Sequence, residues 1–488
     1  MGKPMGRDWL FALAVSLLAL MVRLQFLSQP VRYDEALSYY YFYSESLTWA
    51  THLYMIPNNH VLHSVLCLFV VKVFGVELWS IRLVALISGI LCVPVAYFAG
   101  SRYFTRRVGL LFAMFMASNS YLVEFSTNAR GYMLLCLCSM LYLLLWSGFV
   151  QRKTLEGFLF VGATVTGAYA IPVMLYPAGG FLAAVMVQWL ADFRRQRWLA
   201  NLIYAGVVCG AVCIVVYILY SPIFRTQGAN ALTNNPWVAP QPNFSAFAVQ
   251  VVRSGKEMVQ FTFGRVDIAS ATFLGVMGVF GMAVLFRSNR GLFILMWCSL
   301  IFVMLFSWSR MNFPPPRVLI YLIPLGLLCI TLGIARILER LPGYLAIGVM
   351  FGYSALLVYE TIHSDAILLS GETGTLLRQK DIIDHLEKDK GGFDAVLTVC
   401  PSDFPLLFAT RKMDLNYKLY STDYGYTPRS NHMTLTLPPR ATVYVVEDRS
   451  NRQVKEKELE RFGVKYDPGS FTEIRIAPEL SLWKVRSN

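Results

Sequence analysis

Long apolar runs alternate with short polar turns through most of the chain. The runs fall at 9–28, 81–100, 108–125, 131–149, 156–171, 173–190, 200–220, 270–286, 291–308, 317–335 and 343–360. At a rise of about 1.5 Å per residue, each is close to the length needed to cross a hydrocarbon core of about 30 Å. The pattern predicts about eleven membrane-crossing helices. One further run, 61–75, is too short to cross and carries His63 and Lys72. It reads as an amphipathic helix lying in the membrane interface, within a first loop spanning 29–80.

From about residue 361 the pattern changes. "TLLRQKDIIDHLEKDKGG" has the period of an amphipathic helix ended by glycine. "FDAVLTVCP" and "TVYVVEDRS" read as buried strands, "NRQVKEKELERFG" as a surface helix, and "SFTEIRIAPELSLWKVR" as a closing hairpin. The expectation is two domains: a membrane domain over 1–360 and a small soluble α/β domain over 361–488.

Composition and charge sharpen this picture. The 488 residues are 56% hydrophobic and 14% aromatic, which excludes an ordinary soluble enzyme. The net charge of +13 lies wholly before residue 361, because 361–488 carry 18 basic and 18 acidic side chains. The excess sits in the turns "SRYFTRR", "QRK", "DFRRQRW", "FRSNR" and "ARILER". Basic turns mark the cytoplasmic side, so the surplus reports topology rather than nucleic-acid binding. The first loop and the C-terminal domain then face outward. Eight of nine cysteines lie in apolar segments, leaving Cys400 alone in the polar tail and no internal disulfide there.

The outer segments hold the residues suited to chemistry. Asp34 and Glu35 stand together in "VRYDEALSYYYFY". Acids beside a membrane span need water, a partner or a function, although Asp34 also fits a helix N-cap. His60 and His63 would share a helix face, and Arg130 and Arg317 each open an apolar run on the outer side. Snorkelling explains either arginine alone; the two together with His60 make a candidate anion site. The tyrosines at 39, 40, 41 and 43 read most simply as an interfacial aromatic belt.

The order "YDEALSYY", "NNHVLH…VFG", "RLVALISGILCVPVAYFAGSRYF", "FSTNARGYML" resembles the membrane glycosyltransferases of the GT-C fold. Similarity is greatest to the protein O-mannosyltransferase and lipid A aminoarabinose transferase branch. The resemblance covers residues 1 to about 150 and returns at "RVLIYLIPLGLL". It implies transfer of a sugar from a polyprenyl-phosphate donor to an acceptor hydroxyl on a lipid, glycan or protein. Asp34 would be the catalytic carboxylate with Glu35 in support, and His60, Arg130 and Arg317 would hold the donor phosphate. It also implies an integral membrane protein, read as one of a bacterial inner membrane with its site facing the periplasm. The resemblance specifies no cofactor and leaves a divalent metal open, with His60 and Asn59 its candidate ligands. Two departures bear on donor and metal: Asn128 stands where the family often has Glu, and Val61 and Leu62 replace prolines. A secondary transporter or lipid flippase is the alternative, but such proteins carry midplane charges and internal repeats that this sequence does not show.

Overall fold

A computed structural model describes residues 6–54, 58–191, 198–233, 239–363, 367–370, 374, 376–389, 391–411, 418–422, 440–449 and 453–487. The basic turn at 192–197 lies outside the described residues. The chain divides into two compact units. One comprises Met1–Leu27 and Ala50–Ile367; the other joins Ser28–Trp49 to Leu368–Asn488.

The first unit is helical. Among the described residues, eight helices are long and apolar enough to cross a membrane, or nine if one bent pair is a single span. The expected eleven included two segments that fall short on composition or length. Gly6–Leu24 carries Arg7, Asp8 and Arg23, and Thr154–Ala170 has only 17 residues. Val61–Phe74 forms a helix of 14 residues, about 21 Å long and short of a span. Trp198–Gln227 has only 6% of its most apolar stretch buried, so most of its apolar side chains keep exposed surface, as lipid contact requires.

The bent pair is the stretch expected as one span over 108–125. It breaks at Asn119 into Arg106–Ser118 and Ser120–Ser126, bent by 61°. Asn119 is extended, its Oδ1 accepts from the Leu122 N–H, and its Nδ2 donates to the carbonyls of Phe261 and Thr262. A break orphans the last carbonyls of the first helix, and in a membrane these need partners. The fully buried Arg23 supplies them, donating to Met116 and Ala117. Elsewhere glycine does the fitting. Gly281 of Ile268–Ser288 and Gly333 of Ile323–Leu338 bring two backbones together where any side chain would strike the carbonyl of Cys329 or Met277.

The two ends of this unit differ in chemistry. At one end the basic turns gather: Arg106 pairs with Asp8 at 2.9 Å, Arg102 donates to the Leu144 carbonyl and Ser147, and Tyr204 to the Lys153 carbonyl. The other end holds Asn119, Arg130, His60 and Arg265 in mutual or shared contacts described below.

The second unit is a five-stranded sheet of order β2-β1-β3-β5-β4, with β1 Ala395–Val399, β2 Lys418–Thr422, β3 Thr442–Asp448, β4 Thr472–Ala477 and β5 Leu480–Arg486. β1 runs parallel to β2 and β3, while β5 is antiparallel to β3 and β4. β1 is buried along its length and β3 from Val443 onward, which explains their unbroken apolar runs. The helices Gln379–Lys388 and Lys455–Arg461 fall where periodicity puts them. β2 and a short helix after β1, Asp403–Thr410, were not expected from the pattern.

Candidate active site

Asp34 and Glu35 lie in the first turn of the helix Tyr33–Ser38, which belongs to the sheet unit. The two carboxylates have different surroundings. Glu35 is fully buried and accepts from the Arg32 backbone N–H at 2.9 Å, closing the helix N-terminus. The N-cap position is Arg32, so the reading of Asp34 as the cap does not hold. Asp34 is half-buried, one residue into the turn, where a negative charge suits the helix dipole.

The tyrosines that follow are not an interfacial belt. Tyr41 and Tyr43 are buried, and Tyr39 to Tyr43 form one π-helical turn. Rings of Tyr33, Tyr40 and Tyr41 pack on Phe404 at centroid distances of 5.6, 6.1 and 5.4 Å, and Tyr39 packs on Phe408 at 5.4 Å.

In the helical unit, Arg130 and His60 come together as the sequence suggested. His60 Nδ1 accepts from the Gly131 N–H at 2.7 Å, at the start of the helix Tyr132–Val150. This approach needs glycine, because a Cβ at 131 would lie 3.0 Å from that of His60. Arg130 donates to the Asn58 carbonyl, and its Nη2 stands 3.4 Å from His60 Nε2. Burial, then the charges of Arg130, His63 and Arg317, holds the imidazole pKa well below its ordinary 6.5. The ring is therefore neutral. With Nδ1 accepting, its proton sits on Nε2, facing the guanidinium. A guanidinium and a neutral imidazole thus stand side by side, a pair of groups suited to an anionic oxygen. Arg317 is half-buried and close enough for its charge to act on the same ring.

Asn59 is a poor metal ligand here. Its Nδ2 donates to the carbonyls of Ala50 and Leu53, and its Oδ1 accepts from Ser64. With Nδ1 of His60 also engaged, the expected pair offers little to a cation. Among the described residues no three His, Cys, Asp or Glu side chains group as a metal site.

The buried Glu124 of the helix Ser120–Ser126 has a cationic partner. The partner is Arg265, whose guanidinium pairs with the buried Glu124 carboxylate and lies 4.2 Å from the Tyr121 ring. Arg265 lies 141 residues away from Glu124 in sequence, so no local signal marks it.

The profile of the dolichyl-phosphate-mannose-protein mannosyltransferase family matches residues 61–220. The match begins one residue after His60 and includes Arg130; Asp34 and Arg317 lie outside it. A search of curated proteins finds no match. Among solved structures, ArnT from Cupriavidus metallidurans bound to undecaprenyl phosphate aligns at 14% identity over 99% of this chain and 98% of that one, with a TM-score of 0.62. The same protein in the apo state aligns at 13% identity over 97% of both chains, with a TM-score of 0.58. The fold is that of the GT-C membrane glycosyltransferases. This GT-C chain is accordingly an integral, multi-pass membrane protein. The likeness extends over nearly its whole length, sheet unit included.

Proposed function

We propose that this GT-C protein moves a sugar from a polyprenyl-phosphate donor to an acceptor hydroxyl, in a bacterial inner membrane with its chemistry on the periplasmic face. The observation that carries the reading is the juxtaposition of His60 and the Arg130 guanidinium, with Nε2 and Nη2 3.4 Å apart, in a buried setting beside the N-terminus of a long helix. Such a cluster favours a phosphate. The donor class is supported by ArnT, described as bound to undecaprenyl phosphate, and by a matched family named for dolichyl-phosphate mannose. Both are polyprenyl phosphates.

In the reaction the acceptor oxygen attacks the anomeric carbon as the bond from that carbon to the phosphate oxygen breaks. Asp34 takes the acceptor proton, and Glu35 keeps the helix start in place. Negative charge grows on the departing phosphate, where Arg130, the neutral His60 N–H and Arg317 stabilise it. The acceptor is a hydroxyl on a lipid, glycan or protein.

The test uses purified protein in lipid with a polyprenyl-phosphate sugar, following release of the free lipid phosphate. Arg130→Ala and Arg317→Ala should each weaken donor dependence roughly ten- to a hundredfold, the range for one charge-assisted contact. Arg130→Lys should be impaired too, because it keeps charge but loses the planar fork. Unchanged donor dependence in both alanine variants would remove the phosphate assignment.

A further inference from the structure

The sheet unit has no phosphate loop or nucleophile that the sequence marks, yet it has an occupied edge. In open α/β sheets, ligands sit beyond the carboxyl ends of the parallel strands, where connections diverge. Here β1 ends at Val399 and the chain passes through Pro401 into the helix Asp403–Thr410. Gln453 locks that end: its Nε2 donates to the carbonyls of Val399 and Cys400, and its Oε1 accepts from Ser402 Oγ and the Asp448 N–H. What packs there is the chain's own segment 31–43.

The attachment is specific. The Tyr33 N–H donates to the Gly374 carbonyl at 2.9 Å, and Gln379 Nε2 donates to the Val31 carbonyl. Gly374 has φ +69°, and a Cβ there would meet both Pro401 and Tyr33 at 3.1 Å. Tyr40 Oη donates to the Leu407 carbonyl at 3.0 Å. At the centre is Phe404, 7% exposed, touching the rings of Tyr33 before Asp34 and of Tyr40 and Tyr41 after it. The carboxylate is thus bracketed on both sides by contacts to one side chain.

We infer that the C-terminal sheet is a positioning element of the transfer reaction, with Phe404 the positioning residue that fixes the Asp34 helix. The inference rests on the assignment of Asp34 as the base. A base displaced by about 1 Å can lose roughly a hundredfold in rate without any loss of binding. The sheet therefore acts through turnover, and the donor-phosphate residues of the helical unit are left as they are.

The experiment compares full-length protein with Phe404→Ala, Phe404→Leu, Asp34→Asn and the Asp34→Asn/Phe404→Ala double variant, in lipid, under single-turnover conditions. Expected is a ten- to hundredfold fall in rate for Phe404→Ala with donor KM within about twofold, and an intermediate rate for Phe404→Leu, which keeps most of the volume. In the Asp34→Asn background, Phe404→Ala should cost almost nothing further, because it acts through the group already removed. Hydrogen exchange should quicken at residues 33–43 in Phe404→Ala while the helical unit is unchanged. Full rate in Phe404→Ala, or an equal loss in both backgrounds, would overturn the inference while leaving Asp34 as the base. Parental rate in Asp34→Asn would instead remove the base assignment, and with it this one. Where Phe404→Ala does not fold, Phe404→Leu carries the same comparison.

Discussion

One peptide bond separates two carboxylates with different surroundings. Glu35 is sealed against the Arg32 backbone, a contact glutamine makes equally well, whereas Asp34 is half-buried and not the cap. Glu35→Gln should therefore leave turnover within a few-fold, and Asp34→Asn should lower it about 10²–10⁴-fold, the usual worth of positioned proton transfer. Rates of sugar transfer at equal expression check this, and the reverse order would exchange the roles. His60 gives a second prediction. Its imidazole pKa is held well below 6.5 in the folded protein, mainly by burial, whereas in the unfolded chain it titrates near that value. The unfolded state then binds the extra proton between the two values. Its contribution to stability is full above about pH 6.5 and is lost as pH falls below it, with a slope approaching about 1.4 kcal/mol per pH unit. In His60→Asn, which keeps an acceptor for the Gly131 N–H, the unfolding midpoint should depend less on pH over this window. An unchanged pH dependence would show that His60 is not the group concerned.

At the level of elements, hydropathy located helices well and their breaks poorly. The runs 81–100 and 131–149 appear as Leu78–Tyr103 and Tyr132–Val150, and the tail's alternation appears as β1, β3 and the β4–β5 hairpin. Period and composition decide such elements locally. The break at Asn119 is decided by partners far along the chain, Phe261, Thr262 and Arg23, so an average over apolar residues passes across it. The tyrosines were misjudged for a related reason: the rings of Phe404 and Phe408 lie more than 360 residues further on, in a helix too short to show a period. The acid pair, His60 and Arg130 were legible as residue types in outer segments. Their contacts were not, nor was Arg265. Arg23→Met should expose the importance of the break. It keeps the apolar stem but leaves the Met116 and Ala117 carbonyls without their donor, at about 1–3 kcal/mol each. Thermal unfolding in detergent should show the loss, and a parental midpoint would mean the carbonyls find other partners.

For the whole molecule, the division into units constrains topology. Ser28–Trp49 and Leu368–Asn488 form one compact unit, so both segments lie on one side of the membrane and an even number of crossings separates them. The eight long helices and the bent pair, all after residue 50, make nine. An even count needs one more, and the 17-residue helix Thr154–Ala170 is the candidate. Tyr204 reaches the Lys153 carbonyl at one of its ends and Tyr220 the Ala168 carbonyl at the other, so it lies along Trp198–Gln227 from end to end. An impermeant thiol reagent should label cysteines placed near residues 45 and 480 from the same outer side, and one at Arg152 only after permeabilisation; labelling of 45 and 480 from opposite sides would contradict the shared unit. The same division bears on how the protein is made. Tyr33, Tyr40 and Tyr41 leave the ribosome about 360 residues before Phe404, an interval of roughly 20–70 seconds at ordinary synthesis rates. During that time the membrane helices between them are made while the Asp34 helix waits without its partner. A ribosome that stops early thus releases a chain whose membrane part is complete but whose acid has no seat. With Asp34 as the proposed base, full synthesis to the last strand becomes a condition for activity.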